Sequence, residues 1–251
     1  MSTGIIVQAR IGSSRLPAKV ILPFYKNRSI LEILLADLKV NRHGVPVVLA
    51  TSTAAGDEVL CNHAGLLGID CYRGPEQDVL GRFIMAAEKY GFSRIVRICA
   101  DNPFLDVEGT MDLLDRDEEL PYDYIAYRTV GDIPSIRSHL GLWGEVVQLD
   151  ALKKVRALTS EGIYHEHVTN YIYGHPDEFR IKWVGAPISV YGRKDIRLTI
   201  DDEKDFDMAK ELMVEMGSGI VAKDPERIAA FLDEHPHFLA VMRRQIEKYT
   251  K

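Results

Sequence analysis

Positive charge of the kind that holds nucleic acid is missing from this sequence as a whole. Its 31 lysines and arginines are outnumbered by 37 aspartates and glutamates, for a formal net charge of −6. That balance argues against a general nucleic-acid-binding role. Long apolar runs are missing too: none approaches the roughly 20 residues needed to cross a bilayer, so no membrane span is expected. Met1-Ser2-Thr3 leads straight into an apolar stretch, so no basic leader or signal region is expected. Cysteine is scarce. Cys61, Cys71 and Cys99 lie in or beside apolar segments without paired spacing, and the expectation is buried, reduced thiols in a cytoplasmic protein. The first turn lacks Gly-x-Gly-x-x-Gly and Gly-Lys-Ser/Thr, which weakens dinucleotide-dehydrogenase and P-loop readings. Internal repeats and low-complexity tracts are absent as well.

What is present is an ordinary globular composition: 251 residues, 46% hydrophobic and 27% charged. A chain of this length buries a full core without disulfides, and one domain over residues 1–251 is expected. Strand and helix patterns alternate up to about residue 130. Ile5–Ala9, Val45–Ala50, Ile69–Tyr72, Arg94–Cys99 and Tyr124–Tyr127 read as strands. Helices follow Ser29 (to Val40), span Asp57–Leu67, follow Asp78 (to Tyr90) and follow Asp106 (to Leu114), with Ser or Asp in capping position. This alternation predicts an α/β fold, a mostly parallel sheet with helices on both faces.

The pattern is less regular from 128 to 192. Gly131–Gly144 reads as a loop or hairpin excursion, Glu145–Leu158 as a helix, and Tyr164–Gly174 as a polar-faced helix. Arg180–Ala186 and Ser189–Tyr191 read as an edge hairpin. Arg197–Ile200 is expected to be a strand ending at Asp201-Asp202, followed by an amphipathic Asp205–Met216. Pro225–Lys251 reads as two helices broken near His235-Pro236.

Open parallel sheets bind ligands beyond the carboxyl ends of their strands. Three polar clusters fall at such expected ends. The first is the turn Ala9-Arg10-Ile11-Gly12-Ser13-Ser14-Arg15, with Lys19 shortly after. Gly12, Ser13 and Ser14 offer close backbone approach and donors, and Arg10, Arg15 and Lys19 offer cations; together they are the parts of a polyphosphate site. The second and third are Asp101 and Asp201. Two carboxylates from distant strand ends, meeting at one rim, suit a hard cation such as Mg²⁺. Each also has an ordinary reading, Asp101 as a turn former and Asp201 as a helix cap. A fourth cluster runs from Arg73 through Asp78 to Arg82, with the two arginines bracketing a Gly-Pro turn. A fifth is His165-Glu166-His167, where two histidines at i and i+2 on a helix do not make a zinc face and a substrate-contacting role fits better.

The run from Gln8 to Lys19 resembles the signature loop of the cytidylyltransferases that make CMP-activated acidic sugars, the Kdo and sialic acid enzymes among them. The likeness is closer to the branch of spore-coat polysaccharide biosynthesis protein F. Arg73-Gly74 with Asp78–Phe83, Arg97–Pro103, His165–Thr169 and Arg197–Asp201 extend it over roughly residues 5 to 207. The resemblance implies a Rossmann-like sheet of the nucleotide-diphospho-sugar transferase type, CTP as substrate, Mg²⁺, and a homodimer in which the 128–192 excursion meets the neighbouring subunit. It implies triphosphate binding by Arg10, Ser13, Ser14, Arg15 and Lys19, metal binding by Asp101 and Asp201, and an Arg82 beside the nucleotide or sugar. Arg15, Lys19 and Asp101 are the expected catalytic groups; Ala9, Gly12, Arg73 and Asp78 join the nucleotide site; His165, Glu166 and His167 are assigned to a small acidic acceptor. Asn102-Pro103 stands where Kdo enzymes carry an acidic residue before proline, which leaves the acceptor open. The expected activity is CMP transfer from CTP with release of pyrophosphate, in surface polysaccharide synthesis. The alternatives are another nucleotide, a phosphate or phosphonate acceptor, or a nucleotide-binding subunit without turnover.

Overall fold

The computed structural model describes residues 2–116, 122–217 and 223–249. In chain order the elements are β1 (Thr3–Gln8), β2 (Pro23–Tyr25), β3 (Arg28–Ser29), α1 (Ile30–Lys39), β4 (Val47–Ser52), α2 (Glu58–Leu66), β5 (Asp70–Gly74), α3 (Val79–Tyr90), β6 (Arg94–Cys99) and α4 (Val107–Asp112). The second half adds β7 (Tyr124–Thr129), β8 (Ile133–Pro134), β9 (Glu145–Gln148), α5 (Leu149–Leu158), α6 (Gly162–Glu166), α7 (Asn170–Gly174), β10 (Ile181–Gly185), α8 (Ile188–Tyr191), α9 (Glu203–Met216), α10 (Pro225–Glu234) and α11 (Pro236–Tyr249).

The main sheet runs β10-β7-β9-β6-β1-β4-β5, with β8 added beside β7. The pairs β1–β4, β1–β6, β4–β5 and β10–β7 are parallel. β9 is inserted antiparallel between β6 and β7. Strand side chains alternate between faces, so the sheet separates two cores. Ile5, Val7, Val96 and Ile98 pack on one side with α1, α2, α4 and the helices α9 to α11. Ile6, Val48, Ala50 and Ile95 pack on the other with α3, α5 and α7. The α/β fold with a mostly parallel sheet and helices on both faces is the observed one.

Local chemistry accounts for the helix starts. Ser29 forms a capping box with Glu32 at the head of α1. Asp78 accepts from the Gly81 N–H at the head of α3, and Asp106 from the Gly109 N–H at the head of α4. The tail is two helices parted at His235-Pro236, as expected; residues 250–251 of that reading lie outside the described residues.

Five expectations need correction. Glu145–Gln148 is a strand, not the first turn of a helix. Val146 and Val147 point into opposite cores, and Gly144 sits so close to β6 that a Cβ there would meet the Arg97 carbonyl oxygen at 2.8 Å. Tyr164–Gly174 is two short helices, because Thr169 turns inward to donate to the Glu145 carboxylate at 3.1 Å. Ser189–Tyr191 belongs to the short helix α8, and β10 pairs with β7 rather than forming a hairpin. Arg197–Ile200 carries no strand, since the Leu198 and Thr199 N–H groups donate to the His139 carbonyl at 2.9 and 3.3 Å instead of to a sheet neighbour. Lastly, Cys61 and Cys71 form a disulfide: α2 lies against β5 and brings their Cα atoms to 5.3 Å, within bridging range. Cys99 is free. Among the described residues, no helix is long and apolar enough to cross a membrane.

Candidate functional site

β1 and β6 are parallel neighbours, so Gln8 and Cys99 end them at one edge of the sheet. A cleft of about 390 Å³ opens there. Its lining brings together Ala9, Arg10, Ser13, Ser14, Arg15 and Lys19 after β1, Asp101 after β6, Arg82 from α3, and Asp201 from far along the chain. Glu166 and His167 close the opposite side.

The turn after β1 is organised by Asp57. This buried carboxylate accepts from the Ile11 N–H at 2.7 Å, the Ser52 N–H at 3.2 Å and the Ser52 hydroxyl. Burial alone would raise its pKa, but these hydrogen bonds outweigh burial and hold it below the usual carboxylate value. The Ile11 carbonyl accepts in turn from the Ser13 and Ala18 N–H groups at 2.8 and 3.0 Å. The loop thus keeps its shape through its backbone, and its side chains are left for the cleft. Gly12 is exposed and is not part of the cleft wall.

Cations and carboxylates in the cleft are paired with each other. Lys19 Nζ donates to Asp101 Oδ2 at 2.8 Å and to the Ile200 carbonyl. Arg15 donates to Asp201 Oδ1 at 2.6 Å, while Arg197 donates to Asp201 Oδ2 at 2.7 Å. Lys19 therefore links the Asp101 loop to the residue before Asp201. The side chains of Asp101 and Asp201 remain 35% and 30% exposed to the cleft. Two accessible carboxylates facing one pocket are a suitable donor set for a hard divalent cation that keeps water and phosphate oxygens as its other ligands.

Arg82 is 2% exposed and donates to the Pro75 carbonyl at 3.1 Å, while its Nε has no partner among the described residues. Burial depresses the pKa of this guanidinium. A buried arginine with unused donors on a cleft wall is equipped to meet an anion. Asp78 and Arg73 are placed differently, outside the cleft lining. Arg73 donates to the Ser52 and Ala54 carbonyls at 3.1 and 2.9 Å and braces the loop after β4. Asp78 caps α3 and binds His165 Nδ1 at 2.8 Å. That hydrogen bond raises the His165 pKa, and the ring's other nitrogen faces the Thr159 carbonyl at 3.2 Å. His165 is thus a link between α6 and α3, whereas Glu166 and His167 reach the cleft.

A second chamber of about 350 Å³ adjoins the first and shares Arg97, Ile136 and His167 with it. Arg137, Thr169, Asn170 and Tyr173 form its other polar wall. Below it lies a buried polar network. Arg97 donates to Glu145 at 2.6 Å and to the Gln8 side chain at 3.0 Å, and Glu145 also accepts from the Tyr124 and Thr169 hydroxyls. Cys99, on the cleft wall, has its thiol pushed up to about 11 by burial and stays protonated.

Sequence reasoning passed over Asp57, Gln8, Glu145 and the roles of Arg97 and Arg197. For Arg97 a signal existed: a charge in the middle of the apolar run Ile95-Val96-Arg97-Ile98 needs a buried partner. Asp57 read only as a helix start, and nothing local marks Glu145.

Comparison with known proteins follows the same lines. Residues 4–241 match the family model described as cytidylyltransferase. The spore coat polysaccharide biosynthesis protein SpsF of Bacillus subtilis (strain 168) is 35% identical over 222 residues, covering 84% of this chain and 86% of that protein. Among solved structures, a cytidylyltransferase from Leptospira borgpetersenii serovar Hardjo-bovis superposes with TM-score 0.81 at 24% identity, covering 95% of this chain and 97% of the other. CMP:2-keto-3-deoxy-manno-octonic acid synthetase complexed with CTP superposes with TM-score 0.61 at 16% identity, covering 86% and 99%. A family match over nearly the whole length, a relative of like length and a shared fold agree: this chain belongs to the cytidylyltransferase family, in its SpsF-like branch, and is a nucleotidyltransferase.

Proposed function

We propose that the protein transfers CMP from CTP to an acidic sugar or related acceptor and releases pyrophosphate, with Mg²⁺ as its metal. The observation that carries this reading is the self-paired cleft: Lys19 on Asp101 and Arg15 on Asp201. A metal-bound triphosphate satisfies all four groups at once by exchanging partners, cations to phosphate oxygens and carboxylates to the metal.

In the reaction an acceptor oxygen attacks the α-phosphorus of CTP and pyrophosphate leaves. Such a displacement depends on positioning and charge neutralisation rather than on a covalent enzyme intermediate. Arg15 and Lys19 offset charge on the departing pyrophosphate. Ser13 and Ser14 supply hydroxyl donors beside the phosphates, with Ala9, Arg10 and the buried Arg82 also lining the cleft. Asp101 and Asp201 would hold Mg²⁺, which would supply a Lewis acid to the phosphoryl oxygens. Arg73 and Asp78 act from behind, by bracing the loop after β4 and the head of α3.

The second chamber is the acceptor side. His167 borders both chambers, and Arg137 gives the outer one an exposed positive group. An acidic sugar meets that charge; so does a phosphate or phosphonate acceptor, which is the second reading. The name of the SpsF relative supports a role in polysaccharide synthesis, and the CTP complex of the synthetase supports CTP. The 128–192 excursion exposes Val130, Ile133 and Ile188, and we assign it to a homodimer contact in a cytoplasmic enzyme.

Pyrophosphate release with CTP and Mg²⁺, measured across acidic sugars, sugar phosphates and phosphonates, tests the activity. Thermal shift with CTP, UTP, GTP and ATP tests the base, because a bound ligand raises stability by mass action. Stabilisation by UTP, GTP or ATP and not by CTP overturns the base assignment. Release of no pyrophosphate with any acceptor overturns the transfer.

A further inference from the structure

The last described residue of the C-terminal helix meets the phosphate turn, although the two are separated by nearly the whole sequence. The guanidinium carbons of Arg15 and Arg197 each lie 4.9 Å from the centroid of the Tyr249 ring. The Lys248 ammonium is 5.0 Å from it. The ring is fixed from its far end: the Tyr249 hydroxyl donates to Asp202 Oδ2 at 2.8 Å, and Lys248 reaches the same oxygen at 2.6 Å. One turn earlier, Gln245 donates to Asp202 Oδ1 at 2.8 Å and to Asp205 Oδ1 at 3.2 Å. The end of α11 is thereby locked to the loop that carries Asp201.

Among the described residues Arg15 is otherwise held only by Asp201, and half of its side chain is exposed. On the reading given above, Asp201 turns to the metal when the triphosphate arrives. Arg15 then loses its ion pair at the moment it is needed. An aromatic face retains a guanidinium without occupying its N–H donors, since the attraction is to the ring's electrons and the donors lie in the guanidinium plane. We propose that Tyr249 is a positioning residue for this reaction: its ring keeps Arg15 aimed into the cleft when Asp201 is withdrawn, so that the C-terminal helix is part of the triphosphate site.

The inference rests on the proposed phosphate role of Arg15, and its test separates the two. The full-length protein and its variants are titrated with inorganic tripolyphosphate and Mg²⁺ by calorimetry, and KM and kcat for CTP are measured alongside melting temperatures. Tyr249→Leu is expected to weaken tripolyphosphate binding and raise KM for CTP about five- to tenfold, the range of one guanidinium–ring contact. Tyr249→Phe keeps the ring, loses only the hydroxyl's contacts with Asp202 and Lys248, and restores KM. In an Arg15→Ala background, Tyr249→Leu adds no further loss. An unchanged KM and tripolyphosphate affinity in Tyr249→Leu overturns the proposal. So does an equal penalty in the Arg15→Ala background, which marks a merely structural helix contact. Tripolyphosphate binding that shows the coupling without CTP turnover removes the cytidylyl-transfer reading and upholds the positioning role. A wild-type protein that does not bind tripolyphosphate overturns both.

Discussion

Arg97 and Arg197 are both sunk in the interior, the first on the wall of the cleft and the second behind Asp201, and both are paired with buried acids, but they are built and used differently. Arg97 lies in β6 directly opposite Glu145 of β9. Its pair is set by strand register, its Nε has no partner among the described residues, and its side chain borders both chambers. Arg197 lies in an unpaired segment and has a partner on each of its three nitrogens: it grips both oxygens of Asp205, reaches Asp201, and meets His139 Nδ1 at 2.7 Å. A buried arginine with all partners filled is scaffold, here the scaffold that aims Asp201. One with a partner missing faces the space where a ligand sits. Similar burial therefore carries opposite functional weight, and the difference is in hydrogen-bond satisfaction, not in charge.

The hardest way to break the comparison is to empty one pair. Glu145→Ala leaves Arg97 uncompensated together with the Tyr124 and Thr169 hydroxyls, and should cost about 3–5 kcal/mol in urea unfolding. The double change Arg97→Met with Glu145→Leu should recover most of that stability, because desolvating an ion pair costs nearly what its attraction returns. Failure of the double variant to recover would show that the chamber wall needs the charge for folding itself.

Next in size are the groups exposed to the cleft itself. Lys19→Ala and Asp101→Asn should each lower pyrophosphate release about 100-fold, on the order of 3 kcal/mol of barrier, with the melting transition retained. Near-normal turnover in both would end the mechanism proposed above.

Acid should separate the two regions. Burial would raise the Asp202 pKa, but bonds from Lys248, the Asp205 N–H, Tyr249 and Gln245 outweigh it and hold the carboxyl far below its ordinary 3.8. Such a group contributes stability that is present above 3.8 and lost as pH falls towards the depressed value. Amide exchange in α11 should accelerate below about pH 4 before exchange in β9 does, and Asp202→Asn should flatten that response.

The smallest effect belongs to His139. Burial first, and Arg197 second, lower its pKa from 6.5, so the fold keeps the ring neutral. The unfolded chain takes up the proton first as pH drops. Stability is complete above 6.5 and declines below it, until the lowered value is reached. His139→Gln should remove this modest slope from unfolding measured between pH 7 and about 5, leaving the Arg97 side unaffected.

The helix caps at Ser29, Asp78 and Asp106 and the strand at Arg94–Cys99 were legible because their causes are local: a side-chain oxygen within three residues of an unpaired N–H, or a short apolar run between turns. The cationic turn at the cleft was legible for the same reason, with Arg10, Ser13, Ser14, Arg15 and Lys19 concentrated in ten residues. Glu145–Gln148 was misread because four residues carry no period of their own, and only the slot between β6 and β7 makes them a strand. The Cys61–Cys71 bridge was missed because α2 and β5 bring together residues whose spacing alone implies no pairing.

The sequence by itself determined the alternation that makes the sheet, the strand ends that make a cleft, and the stock of cations and carboxylates at that rim. Only the tertiary structure decided which of them meet: Arg15 with Asp201 and Tyr249, Lys19 with Asp101, His165 with Asp78 rather than with the cleft. Local preference acts through neighbours along the chain, whereas ion pairs and ring contacts form between groups that share a place in space, and that place is set by how the strands order and the helices pack.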